Sequence, residues 1–296
     1  VYTYHTRLEH YAHFVPLPGL LFRNLISHAL IRRFANKCDA IIVPTYSTEE
    51  YLRIVGVKKP TYVQPTGIEY QKFQQVPGEK VEALRKRLEL GDEKVFVSVA
   101  RLSNEKNIDF MIDGIHRLRQ KTDIPFRFLM IGDGHQRDRL QKRIDELELG
   151  DHMTLVGAVP PEEMATWYQL GDAFLFASKS ETQGMVILEA MAAGCPVVAV
   201  RSSGIDDVVR DGYNGFKTPE KQEQWVSRVQ QLLEDESLRR EMSGHALAFA
   251  RDYSVEQFAR DVREIYAEAL AARDKQRNET GWISNRTELS DRDKSD

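Results

Sequence analysis

The chain has few cysteines and no long apolar segment. Only two cysteines, Cys38 and Cys195, occur among its 296 residues, and they lie far apart in the sequence. Such a pair gives neither a disulfide framework nor the spacing of a zinc site, so we expect a reducing, cytoplasmic setting. No apolar run is long enough to cross a bilayer, and no signal peptide is recognisable.

A strong excess of one charge is also missing. The chain has 41 basic and 45 acidic residues, a formal net charge of −4, so we expect no nucleic-acid partner. A hydrophobic content of 42% is enough for one large domain or two. The sequence begins with Val1, not Met, inside an apolar and aromatic passage, which leads us to expect a fragment of a longer protein.

Short apolar runs alternate with helical patterns, which predicts doubly wound α/β domains with parallel sheets. In the first region, residues 1–68, Ser47 with Glu50 forms a capping-box pattern at the start of a helix. Further predicted elements of this region are a strand at 1–6, a helix at 21–36, and strands at 40–43 and 61–64.

The rest of the chain divides by composition. Residues 69–78 are polar, contain Pro77-Gly78, and are predicted to be an interdomain linker. The predicted later segments are a second domain at 79–253, a C-terminal helix at 254–272 and a charged, disordered tail at 273–296. Predicted strands of the second domain are 95–100, 126–131, 153–156, 173–177 and 195–200.

The segment from residue 171 to 200 has the pattern of a strand, a loop, a helix and a second strand. Glu181 lies in the loop and Glu189 in the helix, which begins near Gly184 and ends at Gly194. A helix N-terminus offers unpaired N–H groups that suit a phosphate. An ordinary helix start with one capping acid and one solvated acid is the alternative that this spacing leaves open.

Two cations follow the first strand of the second domain. Arg101 and Lys106 are well placed there to neutralise a diphosphate, although solvated loop cations would look the same. The Gly132-Asp133-Gly134 sequence is a weaker signal, which fits a tight turn as well as a ligand contact.

The first region is net positive, with eight Lys or Arg and four acids. The helix predicted around residues 20–34 mixes basic and bulky apolar side chains, which suits an anionic membrane surface or an ordinary amphipathic helix. His5, His10 and His13 match no standard zinc spacing, so no metal is expected. His5 alone follows a strand, where it could position a substrate hydroxyl or share in charge stabilisation, although a lone histidine is more often structural.

These motifs, in their order, resemble the retaining glycosyltransferases of family 4. They are Arg101-Leu-Ser-Asn-Glu-Lys106, Gly132-Asp-Gly134, Val156-Gly-Ala-Val159, and Glu181 with Glu189 after seven intervening residues. The sequence of residues 178–191, with Thr3-Tyr-His5-Thr upstream, is most similar to that of the diacylglycerol glucosyltransferases. The resemblance covers about residues 1–270. It implies the GT-B fold, in which two Rossmann-like domains face a cleft, with the N-terminal domain truncated here.

The resemblance also implies roles for individual residues. Arg101 and Lys106 would hold the donor diphosphate, Glu181 would orient the donor sugar, and Glu189 would bind the ribose hydroxyls. His5 would lie near the donor sugar and the acceptor. The remaining implied substrate contacts are Gly132, Val159 (meeting the base), Thr182, Gln183, Gly184, Met185 and Val186. Many members have Phe where Gln183 stands, which weakens the inferred sugar contacts.

The implied activity is transfer of a hexose with retention, from a nucleotide sugar such as UDP-glucose to a membrane lipid such as diacylglycerol. A soluble sugar or polysaccharide precursor as acceptor, and a non-transferring nucleotide-sugar binder or epimerase, are the alternatives. No cofactor or metal is expected, because the cations take over its role. The enzyme would be cytoplasmic, with peripheral attachment to the inner face of the plasma membrane. Because residues before Val1 would supply a glycine-rich phosphate loop, we expect this chain alone to be inactive or weak.

Overall fold

The computed structural model describes residues 1–5, 22–179 and 181–292, with the chain divided into two compact units. The first unit contains residues 1–65 and 258–296, and the second contains residues 66–257. His10, His13 and Leu21, the first residue of the helix predicted at 21–36, lie outside the described residues.

The first unit contains a three-stranded parallel sheet in the order β1-β2-β3. Its strands are β1 (Tyr2–Thr3), β2 (Ile41–Val43) and β3 (Thr61–Val63). A π-helical turn (Phe22–Ser27) leads into α1 (His28–Ala35), and α2 (Tyr46–Val55) follows β2. The N-cap of α2 is Thr45, whose hydroxyl accepts a hydrogen bond from Thr48 N at 3.3 Å, so the prediction of a start at Ser47 is wrong.

The second unit contains a six-stranded parallel sheet in the order β6-β5-β4-β7-β8-β9. The strands are β4 (Lys94–Val99), β5 (Phe126–Ile131), β6 (Met153–Gly157), β7 (Ala173–Phe176), β8 (Val197–Val200) and β9 (Gly215–Thr218). Adjacent strand residues serve opposite faces: Phe96 belongs to one buried cluster and Val97 to the other. Both faces are therefore covered, which explains the nearly continuous apolar runs.

Helices on the two faces complete a doubly wound domain. They are α3 (Tyr70–Gln74), α4 (Gly78–Arg87), α5 (Ile108–Leu118), α6 (Arg137–Glu146), α7 (Met164–Leu170), α8 (Met185–Ala192), α9 (Gln222–Glu234) and α10 (Glu236–Arg251). Trp225 of α9 anchors one buried cluster, and Tyr168 of α7 anchors the other. In the described part of the chain, no helix is both long and apolar enough to span a membrane.

The structure differs from the sequence prediction at two segments outside the central sheet. Residues 69–78, predicted as a linker, contain α3, because Phe73 is buried and its ring packs edge-on to Tyr168 at 5.7 Å. The last helix, α11 (Val255–Arg292), extends through much of the tail predicted to be disordered. No proline interrupts its sequence, and charged helix-forming residues continue the helical pattern.

Candidate functional site

The sheet order of the second unit brings two loops together. β4 and β7 are neighbours in the sheet, yet the chain runs outward from β4 through β5 and β6 before it returns to β7. Open α/β sheets bind their ligands at this kind of switch point, outside the carboxyl ends of the strands. The loops that follow β4 and β7 carry Arg101, Lys106 and Glu181, so these predicted residues meet at one edge.

Lys106 and Glu181 form an ion pair across the two loops. Lys106 Nζ lies 2.5 Å from Glu181 Oε1, and the two side chains are 20% and 14% exposed. Lys106 ends a single 3₁₀ turn, Asn104–Lys106, directly before α5. A half-buried cation that is held at a ligand-binding edge is chemically suited to a phosphate.

Arg101 is more exposed than Lys106 and is held by a neighbouring acid. Its Nη2 lies 2.9 Å from Glu105 Oε1, and its side chain is 71% exposed. Glu105 Oε1 also accepts a hydrogen bond from Ser103 Oγ at 2.6 Å. Although burial opposes it, hydrogen bonding from Ser103 and Arg101 lowers the pKa of Glu105 to about 2. Glu105 O accepts from Lys179 N at 2.9 Å, which joins the two loops through the backbone.

The N-terminus of α8 opens toward the same loops. Its N-cap, Gly184, has φ +68°, in the left-handed region that favours glycine. Helix geometry leaves the N–H groups of Met185 and Val186 without intrahelical carbonyl partners. The preceding loop is packed tightly, because a Cβ on Gly204 would lie 2.2 Å from Glu181 O. A helix N-terminus with such N–H groups is chemically suited to an anion.

Glu189 lies in α8 with a buried partner. Tyr168, fully buried on α7, donates its hydroxyl to Glu189 Oε2 at 2.8 Å. Burial raises the pKa of Glu189, although the Tyr168 hydrogen bond and the positive charge of Lys72 act in the opposite direction. Burial together with the Glu189 charge raises the pKa of Tyr168 well above its ordinary value. The Tyr168 hydrogen bond therefore fixes the orientation of the Glu189 carboxylate.

The Gly132 backbone passes very close to the loop after β4. Gly132 has φ +129°, and a Cβ there would lie 2.0 Å from Ala100 O. Its N–H donates to Gly157 O at 2.8 Å. Close packing alone therefore explains why residue 132 is a glycine, without any contact to a ligand. Val159, beyond β6, is half-buried against the apolar cluster that contains Tyr168.

The structure gives Gln183 a role that the sequence did not indicate. Its side chain is buried, and both amide atoms bind the backbone of Thr66. Thr182, beside it, is half-buried in the same loop. Because both amide atoms of Gln183 are already hydrogen-bonded to Thr66, the structure does not favour the predicted contact between Gln183 and substrate.

His5 belongs to the first unit, where it follows β1 and is exposed. In the described part of the chain, no group of three His, Cys, Asp or Glu residues could hold a metal ion. The same unit exposes two apolar side chains of α1, Leu30 at 53% and Phe34 at 56%. Helical spacing places Arg33 on their face, whereas the stem of Arg32 lies against Gly56.

Residues 80–249 match the sequence profile described as "Glycosyl transferases group 1", and residues 1–72 match "Glycosyltransferase Family 4". The alpha-monoglucosyldiacylglycerol synthase of Streptococcus pneumoniae is 30% identical over 94% of this chain and 63% of its own length. The synthase of the same name from Acholeplasma laidlawii is 29% identical, over 94% of this chain and 71% of its own length. The chain thus spans less than two thirds of the first of these relatives.

A solved structure has the same fold. HepE of Anabaena, determined in complex with UDP and glucose, superposes with a TM-score of 0.77 at 21% identity, covering 90% of this chain and 71% of its own. This likeness, with the doubly wound sheet, confirms the predicted GT-B fold class.

Two polar side chains at this edge were absent from the predicted site. Tyr168 appears in the sequence only as one aromatic of an apolar helical pattern, and Glu105 only as a charge between two cations. A buried tyrosine facing a predicted ligand carboxylate has no signature in sequence spacing, because their contact depends on how α7 packs beside α8.

Proposed function

Since the chain belongs to the glycosyl transferases group 1 family, we propose that it is a retaining hexosyltransferase that moves glucose from UDP-glucose to a membrane lipid such as diacylglycerol. The observation that carries the proposal is the Lys106–Glu181 pair, 2.5 Å apart beside the α8 N-terminus. A cation, an anion-binding helix start and a hydroxyl-binding acid are the groups that a sugar diphosphate needs.

The proposed roles follow from charge and position. Lys106 and Arg101 stabilise the negative charge that grows on the diphosphate as its bond to the sugar breaks. The N–H groups of Met185 and Val186 donate to the same phosphates. Glu181 accepts hydrogen bonds from sugar hydroxyls, and Glu189, oriented by Tyr168, accepts them from the ribose. Catalysis then depends on positioning and charge stabilisation.

Glucose and a diacylglycerol acceptor are supported by the names of the two synthases, which match over most of this chain. Both names specify an α-linked glucose, and an α product from the α-linked donor UDP-glucose means retention. The acids Glu181 and Glu189 face a phosphate-binding edge, an arrangement that a glycosidase acting on neutral sugars would not need.

An anionic membrane surface is the proposed partner of the first unit. Leu30 and Phe34 are exposed on α1 with Arg33 between them, which combines apolar insertion with attraction to acidic lipid headgroups. Sedimentation with phosphatidylglycerol vesicles should decrease for Arg33→Glu and Phe34→Ser. Arg117→Glu, on the exposed side of α5 in the second unit, is the matched charge control. Equal sedimentation of all variants would contradict this surface.

The test of the function is a product assay with labelled UDP-glucose and two acceptors, sensitive enough to detect the weak transfer expected of this chain alone. Anionic vesicles containing diacylglycerol should yield a glucosylated lipid that an α-glucosidase hydrolyses. A soluble sugar offered to a parallel sample should remain unlabelled. A labelled soluble product with no lipid product would refute the acceptor, and failure to bind UDP in calorimetry would refute the donor class.

A further inference from the structure

Gln183 holds the backbone of a residue 117 positions away. Its Oε1 accepts a hydrogen bond from Thr66 N at 2.9 Å, and its Nε2 donates to Thr66 O at 2.9 Å. The side chain is only 5% exposed. One side-chain amide thus satisfies both backbone groups of Thr66, as a neighbouring strand residue does in a sheet.

The two ends of this contact have different surroundings. Gln183 lies between Glu181 and Gly184, where the loop after β7 becomes the start of α8. Thr66 is the first residue of the second unit. Two residues later, Ile68 N donates to Tyr253 O at 2.8 Å, and Val255 N donates to Ile68 O at 2.9 Å. Thr66 is therefore next to a backbone pair that is already fixed.

We propose that Gln183 is a positioning residue, which ties the loop carrying Glu181 to Thr66 and does not itself contact the donor. The inference rests on the proposed function, because it concerns how Glu181 is presented to a sugar. The loop has other anchors as well: Lys179 N donates to Glu105 O at 2.9 Å, and the Glu181 side chain pairs with Lys106, a bond that a bound diphosphate would compete for. The Gln183 contact does not involve the cations and persists when Lys106 turns to phosphate.

The chemistry of the contact defines the variants. Gln183→Met keeps the approximate volume and removes both hydrogen bonds, which leaves the N–H and C=O of Thr66 without their partner. Gln222→Met is the control, because Gln222 Nε2 also donates to a backbone carbonyl, Phe110 O at 2.8 Å, on the other face of the sheet.

The first readout is hydrogen exchange without any ligand. In Gln183→Met the amide of Thr66 and the segment 181–187 should both exchange faster, the former by about tenfold, as expected for the loss of one hydrogen bond. Gln222→Met should leave both unchanged. Faster exchange at Thr66 with no change in 181–187 would overturn the proposal, because the loop would then be held by other contacts.

The second readout separates positioning from donor contact. For Gln183→Met we expect kcat to fall about tenfold while the Kd for UDP changes less than about twofold, because misplacement affects the sugar and not the diphosphate. A parallel loss of UDP affinity and kcat would overturn the proposal in favour of a direct contact. If the unsubstituted protein bound no UDP, the proposed function would fail, and the exchange experiment would still decide whether Gln183 holds the loop.

Discussion

Replacing Glu181 by Gln should tighten the binding of UDP while it slows transfer. The substitution removes the negative charge that now neutralises Lys106 at 2.5 Å. In the unsubstituted protein, a diphosphate must compete with Glu181 for the Lys106 ammonium. The variant frees that cation and also removes a carboxylate that repels the phosphates.

The size of the effect follows from the burial of the pair. Lys106 and Glu181 are 20% and 14% exposed, so their attraction exceeds that of a surface pair. A surface ion pair contributes up to about 1 kcal/mol, whereas a hydrogen bond to a charged group contributes roughly 1.5–3 kcal/mol. Allowing for the solvation that Lys106 regains, we expect about 1.4 kcal/mol, which is a tenfold lower Kd for UDP.

Calorimetry with UDP and a steady-state assay with UDP-glucose measure the two effects. The kcat should fall by about tenfold to a hundredfold, because a neutral amide holds the sugar hydroxyls more weakly than a carboxylate does. Asp113→Asn is the matched control: Asp113 pairs with Arg143 at 2.6 Å between α5 and α6, away from the two loops. Weaker or unchanged UDP binding in Glu181→Gln would refute the reasoning.

Three further predictions concern the surroundings of the site. Glu189→Gln should weaken UDP-glucose binding about tenfold, through the loss of a charged hydrogen-bond acceptor, and also raise the thermal midpoint at neutral pH. Burial raises the pKa of Glu189 above its ordinary value, so its ionised form costs stability as the pH rises, and a lower calorimetric midpoint for the variant than for the unsubstituted protein at neutral pH would contradict this. Gly204→Ala should destabilise the fold by about 1–3 kcal/mol in urea unfolding and reduce transfer, because its Cβ would meet Glu181 O at 2.2 Å. Gly150→Ala is the control: open space surrounds that position, so neither stability nor transfer should change. Glu105 should contribute stability that is present above pH 4.5 and is lost as the pH falls toward its folded pKa of about 2. In Glu105→Gln the urea midpoint should therefore depend less on pH in that window. An unaltered slope of midpoint against pH would count against the Arg101–Glu105–Ser103 contacts.

The sheet of the second unit could be predicted because its strands are buried on both faces. The run Phe126–Ile131 gave β5 with both ends correct, since apolar residues stop where the strand leaves the core. β9, Gly215–Thr218, was not predicted, because a short strand with Gly and Lys has no apolar run. The start of α8 was predictable from Gly184, whereas the start of α2 was not, since Thr45 and Ser47 both suit an N-cap.

The site was predictable as far as charge and strand order go. Arg101, Lys106 and Glu181 follow neighbouring strands, so their meeting follows from the sheet topology. The partners of Glu189 and Gln183 were not predictable. Tyr168 reaches Glu189 only through the packing of α7 beside α8, and Thr66 bonds to Gln183 across 117 positions of sequence. The resemblance to a family predicted the site residues, and the structure shows which contacts hold them.

The most direct test is a hydrogen-exchange footprint of UDP on this protein. Binding at the edge between β4 and β7 should slow exchange in two separate segments, 100–107 and 181–192, with little change in the rest of the second unit. The protection should disappear in Lys106→Ala. Protection elsewhere, or none at saturating UDP, would contradict the assignment of this edge as the donor site.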